Sequence, residues 1–269
     1  MKIIISHDVD HITVWEHWRD LVLPKCIVRS SIELALSRIS FAEYWLRFKE
    51  ITANKFHNLD ELMLFDKKNN VNSTFFIGVN RGLGLCYSLK SAEYWTRRIL
   101  GKQFDVGVHG VEFDNLEGIK KEYETFKQIS GSSKFGIRMH YLRSSKDTLK
   151  FIDKASYIFD STLYESKNPY KIGNLWEFPL HIMDGYLFNS NSKWQNQSIS
   201  QVKDQTLRIL EQADKKGIKY FTLLLHDRYF SNSFKAWKEW YVWVIEYLKK
   251  NGCEFVTYRD AIRELEAKA

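Results

Sequence analysis

Short apolar runs rich in β-branched and aromatic residues alternate along the chain with longer stretches of helical periodicity. Residues 2–6, 71–77, 104–109, 135–138, 157–160, 175–179, 220–226 and 254–258 read as strands. Between most of them, residues 59–70, 91–100, 116–129, 146–154, 200–216, 234–250 and 259–267 repeat apolar positions at i, i+3 and i+4, the spacing of a helix with one buried face. Continuously apolar strands alternating with helices predict a parallel sheet covered by helices. The stretch from Ile12 to Asn70 is too long for a simple connection. It predicts a helical region inserted at about 12–58, either a wall over the site or extra packing.

The polar residues follow this pattern. His7, Asp8 and Asp10 follow the first run and His109 the third, while Arg138 and His140 close the fourth, Asp160 the fifth, and His226 and Asp227 the seventh. Parallel α/β folds collect their chemistry at the C-terminal ends of strands. Asp8 and Asp10 are two apart, so on a continuing strand they share a face. A close carboxylate pair is stable as two anions only with a cation between them. A divalent ion meets that need: one carboxylate ligates it while the other takes a proton from an activated water. An Asp-X-Asp alone also caps helices or binds calcium. Imidazole partners would favour a zinc-like ion.

Composition narrows the choices. The chain has 269 residues, 44% of them hydrophobic and 15% aromatic, with 3 Pro, 13 Gly and no linker-like or repeated tract, which favours one domain over residues 1–269. Its three cysteines, Cys26, Cys86 and Cys253, are far apart and outside any Cys-X-X-Cys, as in a reducing compartment. No apolar run reaches the roughly 18 residues of a spanning helix, and the first run meets charge too early for a signal peptide. A cytoplasmic protein is expected. The net charge of +7 comes from scattered Lys and Arg, a solubility pattern rather than a nucleic-acid site, with peripheral membrane contact left open.

Several segments resemble the motifs of the polysaccharide deacetylases (the NodB-homology domain, carbohydrate esterase family four). Ser6-His7-Asp8-Val9-Asp10-His11 is similar to the opening motif, and Ser73-Thr74-Phe75-Phe76-Ile77-Gly78 to the second-strand segment. Phe104-Asp105-Val106-Gly107-Val108-His109-Gly110 resembles the segment with the family's histidine ligand. Gly136-Ile137-Arg138-Met139-His140-Tyr141 and Phe159-Asp160-Ser161-Thr162-Leu163 align with the two that follow, and Leu223-Leu224-Leu225-His226-Asp227 with the strand that ends in a catalytic histidine. The matches keep the family's order from residue 1 to about 230. Within the group the chain looks most like the WbmS-like proteins of O-antigen loci.

The resemblance implies a distorted (β/α) barrel of about seven parallel strands that removes N-acetyl or related acyl groups from sugars. It implies Asp8 as general base, Asp10 and His109 as metal ligands, Arg138 as the partner that positions Asp8, the Tyr141 backbone N–H as an oxyanion donor, and His226 as general acid. The implied cofactor is a divalent metal ion, zinc first. The implied partner is an N-acetylated sugar, nucleotide- or lipid-linked, of a surface polysaccharide. One position departs from the pattern: Phe113 stands where the family has a second histidine. His140, Asp114 or His11 could supply the third ligand, and His140 is favoured because it ends a strand beside Arg138.

The remaining histidines have bland readings. His7 points away from Asp8 and makes a structural hydrogen bond; His17, His57 and His181 are surface or packing residues. Asp160 and Asp184 read as turn or cap carboxylates. The aromatic residues of 234–250 read as packing; Trp15 and Trp176, nearer the inserted region or a strand end, are the better stacking candidates. Two other functions compete: a catalytically impaired barrel that binds glycans in polysaccharide assembly, and a haloacid-dehalogenase-type phosphatase, which also opens on a strand and Asp-X-Asp.

Overall fold

A computed structural model describes residues 1–267. The chain opens with β1 (Lys2–Val9), a 3-10 turn at Trp15–His17, and helices α1 (Val22–Ala35), α2 (Phe41–Thr52) and α3 (Leu59–Lys68). Then come β2 (Thr74–Ile77), α4 (Leu89–Gly101), β3 (Asp105–Gly110), α5 (Leu116–Ser130), β4 (Ile137–Met139), α6 (Thr148–Lys154) and β5 (Phe159–Asp160). Three short strands follow, β6 (Tyr170–Ile172), β7 (Leu175–Glu177) and β8 (Ile182–Met183). The chain ends with α7 (Asp184–Asn189), α8 (Ile199–Lys215), β9 (Tyr220–Leu224), α9 (Lys235–Lys250), β10 (Glu254–Phe255) and α10 (Tyr258–Glu266).

The sheet runs in the order β6-β7-β5-β4-β3-β2-β1-β9-β8, with β10 paired to β1. Among the described residues every strand pairing is parallel except β6 with β7. The stretch 175–183 meets both ends of the row, pairing with β5 at its start and with β9 at its end. The result is a curled α/β half-barrel of parallel strands. Among the described residues the sheet has ten strands where about seven were expected; β7 falls within the expected run 175–179, whereas β6 and β8 are two or three residues long and lack the apolar repeat that marks a longer strand.

Strand β1 shows why the sheet forms and how it aims its side chains. Seven of its eight residues are buried, as a strand covered on both faces requires. Ile3, Ile5 and Val9 join the large layer between sheet and helices, whereas Ile4 joins Phe76, Phe159, Phe178 and Tyr258 inside the curl. By that alternation Asp8 points inward with Ile4, and His7 points out to the helices. The imidazole of His7 bonds Leu225 O through Nδ1 and Asp66 of α3 through Nε2, both at 2.9 Å.

Large rings fill the interior, and glycine makes room for them. A Cβ on Gly136 would lie 2.3 Å from the Phe159 ring, so residue 136 admits no side chain beside that phenyl. Tyr258, the first residue of α10, stacks on Phe159 inside the curl with centroids 4.3 Å apart. A capping box between Thr257 and Asp260 starts that helix, leaving its first amides satisfied as it turns inward. Helix α9 buries Trp237, Trp240, Tyr241, Val244, Ile245 and Leu248, and both indoles have partners: Gln195 at 2.8 Å and Thr206 at 2.9 Å. Its aromatic residues lie in the core or pack against it.

Candidate functional site

Arg138 on β4 organises the inner face of the sheet. Its guanidinium donates to Asp8 Oδ1 from Nη1, to Ser161 O from Nε, and to Ser161 Oγ and the Tyr258 hydroxyl from Nη2, each at 2.9 Å. A fork with its donors filled in this way loses its rotational freedom and fixes its partner. Burial would raise the Asp8 carboxyl, but Arg138, followed by His109 and His226, outweighs it and holds the group below the usual carboxylate range. Asp8 therefore stands as an anion, with Oδ1 on Arg138 and Oδ2 3.9 Å from His109 Nε2.

Above this pair three acceptors converge. His109 Nε2 lies 3.2 Å from Asp10 Oδ1, His140 Nδ1 lies 3.4 Å from the same oxygen, and the two ring nitrogens are 3.0 Å apart. The far nitrogens of both rings face carbonyls: His109 Nδ1 is 3.1 Å from Arg138 O and His140 Nε2 is 3.3 Å from Leu83 O. Tautomers assigned from those carbonyls put the N–H groups there, leaving each inner nitrogen a lone pair. Two lone pairs and a carboxylate oxygen aimed at one point require a cation. Burial would lower the His140 pKa, but Asp10 overcomes it and raises the ring above its ordinary value. Asp10 is held well below the carboxylate range, since bonds from His109 and His140 outweigh its burial.

These donors fit a divalent ion. Ligands about 2.0–2.1 Å from a zinc-like centre lie about 3–3.4 Å from one another, the spacing seen here. The other candidates for third donor are placed differently. Asp114 is exposed, His11 bonds His17 at 3.1 Å, and Phe113 packs at the core margin beneath the Arg143 guanidinium, 4.0 Å away.

His226 stands across Asp10, its Nε2 3.7 Å from Asp10 Oδ2. Its Nδ1 and its backbone N–H each reach Asp184 at 2.7 Å. Burial would lower this imidazole, but Asp184, then Asp10 and Asp8, raise it well above its ordinary value. By sequence Asp184 reads as a cap. It does open α7, yet the same carboxylate grips His226; the signal that could have found it is an aspartate directly after an extended apolar stretch. Asp160 accepts from the Thr162 amide and hydroxyl, as a turn carboxylate does.

Tyr141 follows His140 in a left-handed conformation, φ 57°, and its exposed ring lies 4.2 Å from the His140 ring. Trp176 bonds Glu266 and lines a hollow with Lys134 and Ile158, which lead into β4 and β5, so it sits at the opposite end of the sheet. Trp15 and Trp18 are exposed beside His17.

No protein-family model matches the sequence, and no curated protein matches it. Solved structures do. A candidate polysaccharide deacetylase from Mycobacterium smegmatis superposes with a TM-score of 0.66 at 13% identity, covering 99% of this chain and 90% of that one. The Puue allantoinase gives 0.63 at 12% identity over 99% and 89%. A carbohydrate esterase family four pseudoenzyme from Bacillus anthracis gives 0.52 at 10% identity over 96% and 64%. At such identities the likeness is one of fold, and the fold is that of the polysaccharide deacetylases of carbohydrate esterase family four.

Proposed function

We propose that the chain is a metal-dependent hydrolase that removes an N-acetyl or related acyl group from a sugar of a bacterial surface polysaccharide or its nucleotide- or lipid-linked precursor, in the manner of the WbmS-like branch. The convergence of Asp10, His109 and His140 between the Asp8–Arg138 pair and the His226–Asp184 pair carries this reading. On it, residues 1–269 form one barrel domain in the cytoplasm, and the helical stretch of about 12–58 walls the cleft.

Asp10, His109 and His140 would hold the ion, zinc first, which would polarise the acyl carbonyl and acidify the attacking water. Asp8, oriented by Arg138 through Oδ1, accepts the water proton on Oδ2. The oxygen of that water bonds to the acyl carbon, and the carbon–nitrogen bond breaks. His226, kept protonated by Asp184, delivers a proton to the departing amine, so acetate and a free amino sugar leave. Tyr141 would turn its backbone N–H toward the oxyanion.

The glycan-binding alternative rests on Phe113 in the place of a histidine. It loses force because His140 brings an imidazole within 3.0 Å of His109. The test is acetate release from N-acetylated sugars by metal-loaded protein, beside Asp8→Asn and His109→Ala. Loss in both variants supports the proposal. Full activity in both, or sugar binding that survives chelation with no turnover, overturns it.

A further inference from the structure

A second group of ligating side chains lies outside the strand-end cluster, where the segment after β1 meets the loop before α4. His17, Asp20 and Cys86 bring an imidazole nitrogen, a carboxylate oxygen and a thiol sulfur within 4.8 Å of one another. His17 is buried, with Nδ1 2.8 Å from Asp20 Oδ2 and Nε2 3.1 Å from His11 Nδ1. Asp20 Oδ1 accepts from the Val22 amide at 2.9 Å, which leaves Oδ2 facing the imidazole.

The backbone beside these donors is pinned. Glu16, next to His17, accepts from the Ser88 amide at 2.7 Å and the Ser91 hydroxyl at 2.9 Å. Tyr87, next to Cys86, donates to Val9 O at 2.8 Å and accepts from the Gly78 amide at 2.6 Å. The His17 ring is held between His11 and Phe56, with centroids 4.6 and 5.8 Å away. Donors fixed by their own neighbours lose little entropy when they take up an ion, as a built metal site requires.

We propose that His17, Asp20 and Cys86 form a second metal site for a thiophilic divalent ion of the zinc class, which clasps the segment 13–20 to the loop 82–88. Thiolate and imidazole together select zinc-like ions over magnesium or calcium. His17 Nδ1 would ligate while Nε2–H donates to His11, the outer bond that ligating histidines usually make. The Asp20 side chain is 21% exposed, so solvent can reach the fourth position of a tetrahedral ion. The clasp also bears on the strand-end cluster, since the loop it holds carries Leu83 O, the acceptor facing His140 Nε2.

Cobalt titration of the chelator-stripped full chain tests this, read by bound-metal content and by thiolate-to-cobalt charge-transfer absorption. Wild type is expected to bind two equivalents with that absorption. Cys86→Ser should bind one and lack it; His109→Ala should bind one and keep it. One equivalent in wild type without the thiolate band, or two equivalents in Cys86→Ser, overturns the second site. If Cys86→Ser does not fold, alkylation of the wild type followed by peptide mapping decides. Zinc should slow the reaction of Cys86 by at least about tenfold, because the bound thiolate is no longer a free nucleophile, and leave Cys26 and Cys253 unaffected. Equal rates at Cys86 with and without zinc refute the clasp.

Discussion

His226 is gripped twice by one carboxylate: Asp184 Oδ1 takes its ring Nδ1 and Asp184 Oδ2 takes its backbone N–H, both at 2.7 Å. The ring cannot turn without breaking one bond while keeping the other, and its free Nε2 stays aimed at Asp10. A carboxylate in that position both orients the imidazole and favours its protonated form.

Asp184→Asn should therefore lower kcat about 10–100-fold with a smaller change in KM, since the sugar need not touch residue 184. The folded pKa of His226 is raised, so its protonated form persists below that value and is lost as pH climbs through it. The alkaline limb of the pH–rate profile should move to lower pH in the variant. An unmoved limb would assign it to another group.

Removing one partner of the inner ion pair should be costly. Arg138 and Asp8 are both buried, and Arg138 also bonds Ser161 and Tyr258. Arg138→Met is expected to lose about 3–5 kcal/mol of stability, measured by urea unfolding. A loss below 1 kcal/mol by that assay would mean water or a rearranged partner relieves Asp8.

Zinc should raise the melting temperature through the strand-end cluster, since an ion bound only to the folded state at a hundredfold excess over its Kd adds about 2.7 kcal/mol. His140→Ala should remove most of the increment due to that cluster, and Asp114→Ala should leave it intact. The reverse pattern would name Asp114 as the third donor.

Glu122 on α5 gives a pH effect away from the strand ends. Its Oε1 accepts from the Val111 and Glu112 amides, Oε2 is buried without a partner, and burial pushes the carboxyl up to about 7 from 4.5. The folded chain thus holds this proton more tightly than the unfolded one. Its contribution is complete below pH 4.5 and declines as pH rises through 7. Glu122→Gln keeps the Oε1 acceptor and should flatten that decline, giving a variant more stable than wild type at pH 8. Parallel stability curves for the two proteins would reject the assignment.

The alternation of strands and helices, the inward aim of Asp8 against the outward aim of His7, and the packing role of the α9 aromatics were legible in the sequence. Periodicity is local: a side chain's face follows from its neighbours in the chain, and a buried parallel strand must be apolar throughout. Three things were not legible. The short strands 170–172 and 182–183 are defined by their partners, not by any repeat of their own. The Asp184 carboxylate looks like a cap until the curl of the sheet carries β9 and its following His226 beside α7. Among His140, Asp114 and His11, the tertiary structure alone brought one to within 3.4 Å of Asp10, because that distance depends on the register of β3 and β4. Sequence by itself placed the polar residues at or near the strand ends, although β1 runs on to Val9 and β9 stops at Leu224; the curvature and register of the sheet decided which of those ends meet.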